Sequence, residues 1–149
     1  MTDGERMQLL RDEYFKLQDI VESFDQRALQ IKGWSVTLSL AAIAAALVAK
    51  DIGPEQRVAT FLGAGLASAL FWLIEYIWKT FQWSFFHRID EIEGYFRDSS
   101  VPVDPLQIRA TWKGKYKIEL AKRWRNAFKP FIMLPHAVVV VAAVVLAIL

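Results

Sequence analysis

Three stretches of the chain contain no charged residue: residues 34–49 (WSVTLSLAAIAAALVA), 58–74 (VATFLGAGLASALFWLI) and 131–149 (FIMLPHAVVVVAAVVLAIL). Each comes close to the ~20 residues that an α-helix needs to cross a bilayer, and Trp or Tyr at the ends extends the first two. Between those two, KDIGPEQR is polar and carries Gly53 and Pro54. That composition predicts a tight turn and an antiparallel helical hairpin. The Val-rich third run would suit a buried strand in a soluble protein. Its length and the two charge-free runs before it predict a membrane helix instead.

The apolar rhythm continues outside these runs. Met7, Leu10, Tyr14, Leu17, Val21, Phe24, Ala28 and Ile31 alternate three and four apart, which predicts a long helix with one apolar stripe. A matching stripe of Trp78, Phe81, Phe85, Ile89, Ile92 and Phe96 follows the second run. Both hairpin helices should therefore continue as rods that pack on each other or on symmetry mates, with a bend expected at Gly33. The stripe is either a core face or an oligomerisation seam. Residues 98–105 (DSSVPVDP) predict a break, and a further helix should start near Leu106 with Asp104 as its cap. On it Ile108, Trp112, Tyr116, Leu120, Trp124 and Phe128 recur every four residues.

The expected fold is an all-α membrane helical bundle. Two long helices form a transmembrane hairpin with cytoplasmic extensions, joined by an interfacial basic helix and a third transmembrane helix. In segments, 1–32 is a cytoplasmic heptad helix and 33–79 the hairpin; 80–130 is a cytoplasmic helical segment, and 131–149 the third span. Composition agrees: 54% of residues are hydrophobic and 13% aromatic, with mean hydropathy +0.23. These values exceed the soluble norm, and the charge lies between the apolar runs. Cysteine is absent, which excludes disulfides and thiolate metal sites. The first thirty residues are charged throughout, so no cleavable signal peptide is expected and insertion relies on the spans. The turn between the first two runs holds Lys50 and Arg57, whereas Lys79–Lys129 holds eleven basic residues against six acidic ones. By the positive-inside rule that segment and the N-terminus are cytoplasmic and the C-terminus is outside.

Four features could carry chemistry. Trp112, Lys113, Lys115, Lys117, Lys122, Arg123, Arg125 and Lys129 interleave aromatic and basic groups, a composition suited to anionic lipid or an anionic ligand such as a nucleotide. The same pattern also suits a plain topology anchor. Glu75 is ionisable at the end of the second run, either pairing with Lys79 four residues on, or belonging to an ion path or to a structural pair with another helix. Ser35 and Ser39, with Ala42 and Ala46, form one small stripe; Gly63 with Ala67 and Gly65 with Ala69 are small pairs in the second run. Such stripes suit close helix packing or, in an oligomer, a weakly polar pore lining. His87 and Glu91 share a helix face, which is half a metal site at most, and surface pairing with the N-terminal helix, as for Arg88, is the simpler expectation. No metal, cofactor or nucleic-acid partner is expected. No nucleophile–base set, glycine-rich phosphate loop or paired catalytic carboxylate stands out, and the expectation is not an enzyme.

The entry IKGWSVTLSL to the first span, and FWLIEYIWKTFQWSFFHRIDEIEGYF at the exit from the second, resemble the SLATT group of small bacterial two-transmembrane proteins. With the heptad helix, the likeness covers roughly residues 10–97. The basic helix and third span are additions to that pattern. The resemblance implies an oligomeric inner-membrane effector of an anti-phage or nucleotide-signalling system, which perforates or depolarises the membrane when triggered. Expected partners are the bilayer, with its anionic inner leaflet, further copies of the chain, and a cytoplasmic sensor or partner protein. Leu10, Tyr14, Leu17, Val21, Phe24, Phe85, Ile89, Ile92 and Phe96 would pack the stalk or oligomer, and Ser35, Ser39 and Glu75 are candidates for the ion path. The competing expectation is a non-conducting scaffold or accessory subunit that anchors a larger complex.

Overall fold

The computed structural model describes every residue except Ser99 and Val101; the side chains of Arg123 and Trp124 also lie outside the described set. Among the described residues there are five helices and no strand: α1 (Asp3–Val48), α2 (Pro54–Arg97), α3 (Ile108–Ala121), α4 (Arg123–Ala127) and α5 (Pro130–Ile148). The fold is all-α, and α1, α2 and α5 are each long and apolar enough to cross a membrane. With 46 and 44 residues, α1 and α2 are about twice the ~20-residue span a bilayer needs.

Local chemistry sets the helix ends. The Thr2 amide donates to Glu5 Oε2 at 2.8 Å and the Glu5 amide to Thr2 Oγ1 at 3.3 Å, a reciprocal cap for the first turn of α1. The helix is continuous through Gly33, the position at which a bend was expected. Gly in a helix costs only about 1 kcal/mol relative to Ala, and the apolar turns on both sides carry the helix across it. In the hairpin turn, Pro54 opens α2, where its missing N–H is of no consequence. Arg57 Nη2 donates to the Ala49 carbonyl at 3.0 Å and closes the end of α1.

The basic segment departs from expectation. Gln107, not Asp104, precedes α3, and it makes no side-chain cap bond. The Asp104 carbonyl instead accepts Arg88 Nη2 at 2.6 Å, which commits that backbone to α2. The segment is also not one rod, since it divides into α3 and the short α4 at Lys122.

The chain divides into two compact units. Met1–Gln26 and Trp78–Arg123 form a polar unit, and Arg27–Ile77 and Trp124–Leu149 form an apolar one. In the polar unit Leu10, Leu17 and Val21 of α1 are buried against Ile89, Ile92 and Tyr95 of α2, with Tyr14, Phe85, Val103 and Ile108 around them. Phe24 packs on Trp78 and Phe85 at ring distances of 4.7 and 5.8 Å. The heptad stripe is therefore the core face of this chain. Phe96, expected on it, is exposed; Tyr95 takes the position, because the buried face advances three residues from Ile92 rather than four.

In the apolar unit Ile43, Ala46, Phe61, Ala64 and Ala143 form the core of α1, α2 and α5. A Cβ on Gly65 would come within 3.1 Å of Ala143 Cβ, so this glycine sets the approach of α2 and α5, whereas Gly63 faces open space. The outer surface is oily: Leu66 is 64% exposed and Val138 65%. A soluble unit hides such side chains. Here they are where lipid would meet them.

Candidate functional site

The interior of the apolar unit is polar where the outside is not. Ser35 of α1, Ser68 and Glu75 of α2 and His136 of α5 are all 0% exposed. They are linked in series. Ser68 Oγ lies 3.1 Å from Ser35 Oγ, Ser35 Oγ 2.8 Å from His136 Nδ1, and His136 Nε2 3.0 Å from Glu75 Oε2. Lys32 Nζ closes the chain 3.0 Å from Glu75 Oε1, and it also sits 5.8 Å from the centre of the Phe131 ring. Ser68 Oγ can donate to the His136 carbonyl at 3.3 Å as well. One turn further along α1, Ser39 Oγ donates to the Ala64 carbonyl at 3.2 Å.

Helix periodicity explains the assembly. Lys32, Ser35 and Ser39 recur at three and four residues on one face of α1, as do Ser68 and Glu75 seven apart on α2. Folding the sequence about residues 51–52 puts Ser35 across from Ser68 and Ser39 across from Ala64. His136 lies in the second turn of α5. A carboxylate in an apolar interior is costly unless paired and hydrogen-bonded. Lys32 and the imidazole supply that pairing, and with a neutral imidazole the trio has no net charge. One donor order runs through the whole line: Ser68 to Ser35, Ser35 to Nδ1, and Nε2–H to Glu75 Oε2, leaving Glu75 Oε1 to its ion pair with Lys32.

The expected Glu75–Lys79 pair does not form. Lys79 bonds Asp25 and Gln82 within the polar unit, and Glu75 takes Lys32 and His136. The hairpin offers Glu75 a cation in its own buried layer, so the i,i+4 neighbour is not used. Ser35, Ser39 and Glu75, the candidate path residues, are all buried among partners from the same chain. Lys32, Ser68 and His136 were missed. Opposite charges at matching depths of a hairpin, and a histidine within a third apolar run, were signals that could have found them.

The polar unit holds a second buried ionic site. Arg88 Nε and Nη2 donate to the two oxygens of Glu13 at 2.9 and 3.0 Å, a fork-on-fork pair. Arg88 Nη1 reaches Glu91 at 3.2 Å. Burial disfavours the charge on Arg88, but the bonds and charges of Glu13 and then Glu91 more than offset it and hold its pKa above the ordinary value. The guanidinium therefore stays ionised. Arg88 pairs with the N-terminal helix as expected, but the pair is buried and not at the surface. His87 instead pairs with Glu119 of α3 at 3.0 Å: α3 covers this face of α2, and α1 does not reach it.

The basic aromatic segment separates into two faces. Trp112 stacks on Tyr116, with ring centres 5.0 Å apart and planes 11° from parallel, and its Nε1 donates to the Phe81 carbonyl at 3.2 Å. This aromatic face is turned onto α2, not outward. Lys113, Lys117 and Arg125 are exposed, Lys115 and Lys129 are half-buried, and Lys122 pairs with Glu119 at 2.8 Å. The Arg123 side chain lies outside the described residues. Among the described residues no group of His, Asp and Glu has the makings of a metal site.

Comparison with protein-family models, curated proteins and solved structures found no match.

Proposed function

We propose that this chain is a small multi-pass effector of a bacterial inner membrane, SLATT-like in kind, that assembles with further copies of itself and passes ions when a cytoplasmic partner or ligand triggers it. Its N-terminus and basic segment are cytoplasmic and its C-terminus outside, as the distribution of Lys and Arg implies. It has no enzymatic role.

The observation that carries this proposal is the Lys32–Glu75–His136–Ser35–Ser68 chain, buried except at Lys32, in a unit whose outer surface is oily. Ionisable groups at such depth are expensive and mark ion or proton pathways. A plain anchor of three apolar helices has no need of them. The exposed Lys113 and Lys117 add attraction of roughly 1 kcal/mol each for an anionic leaflet.

A second reading, a non-conducting scaffold, has its own support. The same polar groups find partners inside one chain, as interhelical glue would. Reconstitution separates the two. In phosphatidylethanolamine/phosphatidylglycerol vesicles the untriggered chain is expected to hold an imposed membrane potential and Phe61→Ser, which makes the apolar core polar, to dissipate it, with Ser39→Leu or Glu75→Ala changing the rate in that background. A well-folded protein that passes no ion in any variant, while co-purifying in a stable membrane complex, is the scaffold.

A further inference from the structure

The apolar unit is asymmetric along its length. The polar chain occupies only part of the helical interior. At one end Lys32 keeps 20% of its side chain exposed, so the Glu75 end opens to the surface of the unit. At the other end the polar groups stop at Ser39. Beyond lie Ile43, Ala46, Phe61, Ala64 and Ala143, each at most 6% exposed. Past these, Arg57 binds the Ala49 carbonyl at the hairpin turn.

We propose that Ser68, Ser35, His136 and Glu75 form a proton path, and that the apolar cluster around Ile43 and Phe61 holds it shut in this conformation. The proposal rests on the ion-passage reading above and names the ion. Hydrated metal ions need a water-filled lumen, and side chains at 0% exposure leave none. A proton needs only hydrogen bonds in series, and the links of 2.8–3.1 Å supply them. Imidazole is the side chain suited to the middle position, because one ring nitrogen accepts a proton while the other gives one up.

The transfer balances. A proton arriving at Ser68 Oγ displaces the Ser68 proton to Ser35 Oγ, and the Ser35 proton moves to His136 Nδ1. The Nε2 proton then passes to Glu75 Oε2. One proton has entered, Glu75 is neutral, and each hydroxyl is intact. The charged and titratable groups against the imidazole and carboxylate come from all three helices: Lys32 on α1, Glu75 on α2, His136 on α5. Lys32 lies 3.0 Å from the other carboxylate oxygen at the partly exposed end, which is where the proton leaves. Reset requires the hydroxyls to rotate and the ring to turn over.

The alternative of a serine hydrolase fits poorly. Ser35 Oγ is enclosed on every side, and none of the described clefts includes it.

The test opens the plug and then breaks the wire. The full chain is reconstituted in phosphatidylethanolamine/phosphatidylglycerol vesicles with an entrapped pH dye, and potassium flux is measured separately. Phe61→Ser should raise proton flux while potassium stays at the bilayer leak. Adding Glu75→Gln should lower proton flux by about 10²-fold, the lower end of what a positioned proton carrier contributes. His136→Ala in the Phe61→Ser background should lower it likewise, and added imidazole should restore it, which loss of packing alone would not allow. If Phe61→Ser leaks potassium and protons alike and Glu75→Gln changes neither, the proton path is wrong while ion passage survives. If variants with wild-type helicity and oligomeric state pass neither ion, both proposals fall.

Discussion

Glu13 in the polar unit and Glu75 in the apolar unit both have fully buried side chains, and the two are treated differently. Glu13 meets a guanidinium in a two-pronged pair, backed by the Leu106 amide at 2.6 Å. Glu75 meets three kinds of group in a line: an ammonium, an imidazole and, behind the imidazole, two hydroxyls. Arginine cannot give up its proton. The Glu13 site therefore locks geometry and nothing more. Every link at Glu75 can exchange a proton, so that site can change state without coming apart. Burial alone does not mark a working carboxylate; the chemistry of its partner does.

The comparison breaks first at Arg88. Arg88→Ala would leave Glu13 buried without a counter-charge, a loss of about 3–5 kcal/mol. It would also free the Asp104 carbonyl and loosen Leu106, whose φ of 62° is a conformation that side-chain-bearing residues seldom hold without support. Denaturant unfolding of the detergent-solubilised protein, followed by helical circular dichroism, measures the loss. The Glu13→Leu, Arg88→Met double variant should regain most of it, because an apolar pair leaves no orphan charge.

A smaller effect belongs to the helix contact that frames the Glu75 site. Gly65 approaches Ala143 too closely for a larger side chain. Gly65→Leu should cost about 1–3 kcal/mol by overpacking and shift α5 away from α2, stretching the His136–Glu75 bond. Gly63→Leu, one turn-face away and open, is the control and should leave stability within about 0.5 kcal/mol. Thermal unfolding of both variants in the same detergent decides between them.

Much of this was legible in the chain, and the exceptions share a cause. Helix existence, the hairpin turn and the third span followed from charge-free length and from Gly53 and Pro54. The stripe from Leu10 to Val21 identified a packing face correctly, since apolar spacing reports which side of a helix is buried. It could not say that Tyr95 and not Phe96 continues the facing stripe, because three- and four-residue steps fit a 3.6-residue turn equally well. Partners were harder. Lys79 is the local mate for Glu75, yet Lys32, forty-three positions away, holds it. His87 likewise turned to α3. Local pair rules rank neighbours within a helix, whereas a buried charge is settled by whatever the next helix brings to its level. His136 could be placed only once α5 had a register against α2.

Among the ionic groups the smallest expected stability effect falls on Glu75 itself, and it sharpens the comparison most. Glu75→Gln keeps the shape and can still bond the imidazole. Lys32, already partly exposed, can carry its ammonium outward along its own stem when the carboxylate charge is gone. Interhelical polar contacts in a bilayer contribute about 0.6 kcal/mol on average, because the separated helices also find partners. The loss at Glu75 should therefore be about 1 kcal/mol or less, well below the effect of Arg88→Ala, although both carboxylates are equally buried. If unfolding instead ranks Glu75→Gln with Arg88→Ala, the line of groups is a structural lock like its counterpart. If it ranks low while ion passage falls sharply, stability and function have been separated at a single residue. That separation is what a chain of exchangeable groups predicts and a lock does not.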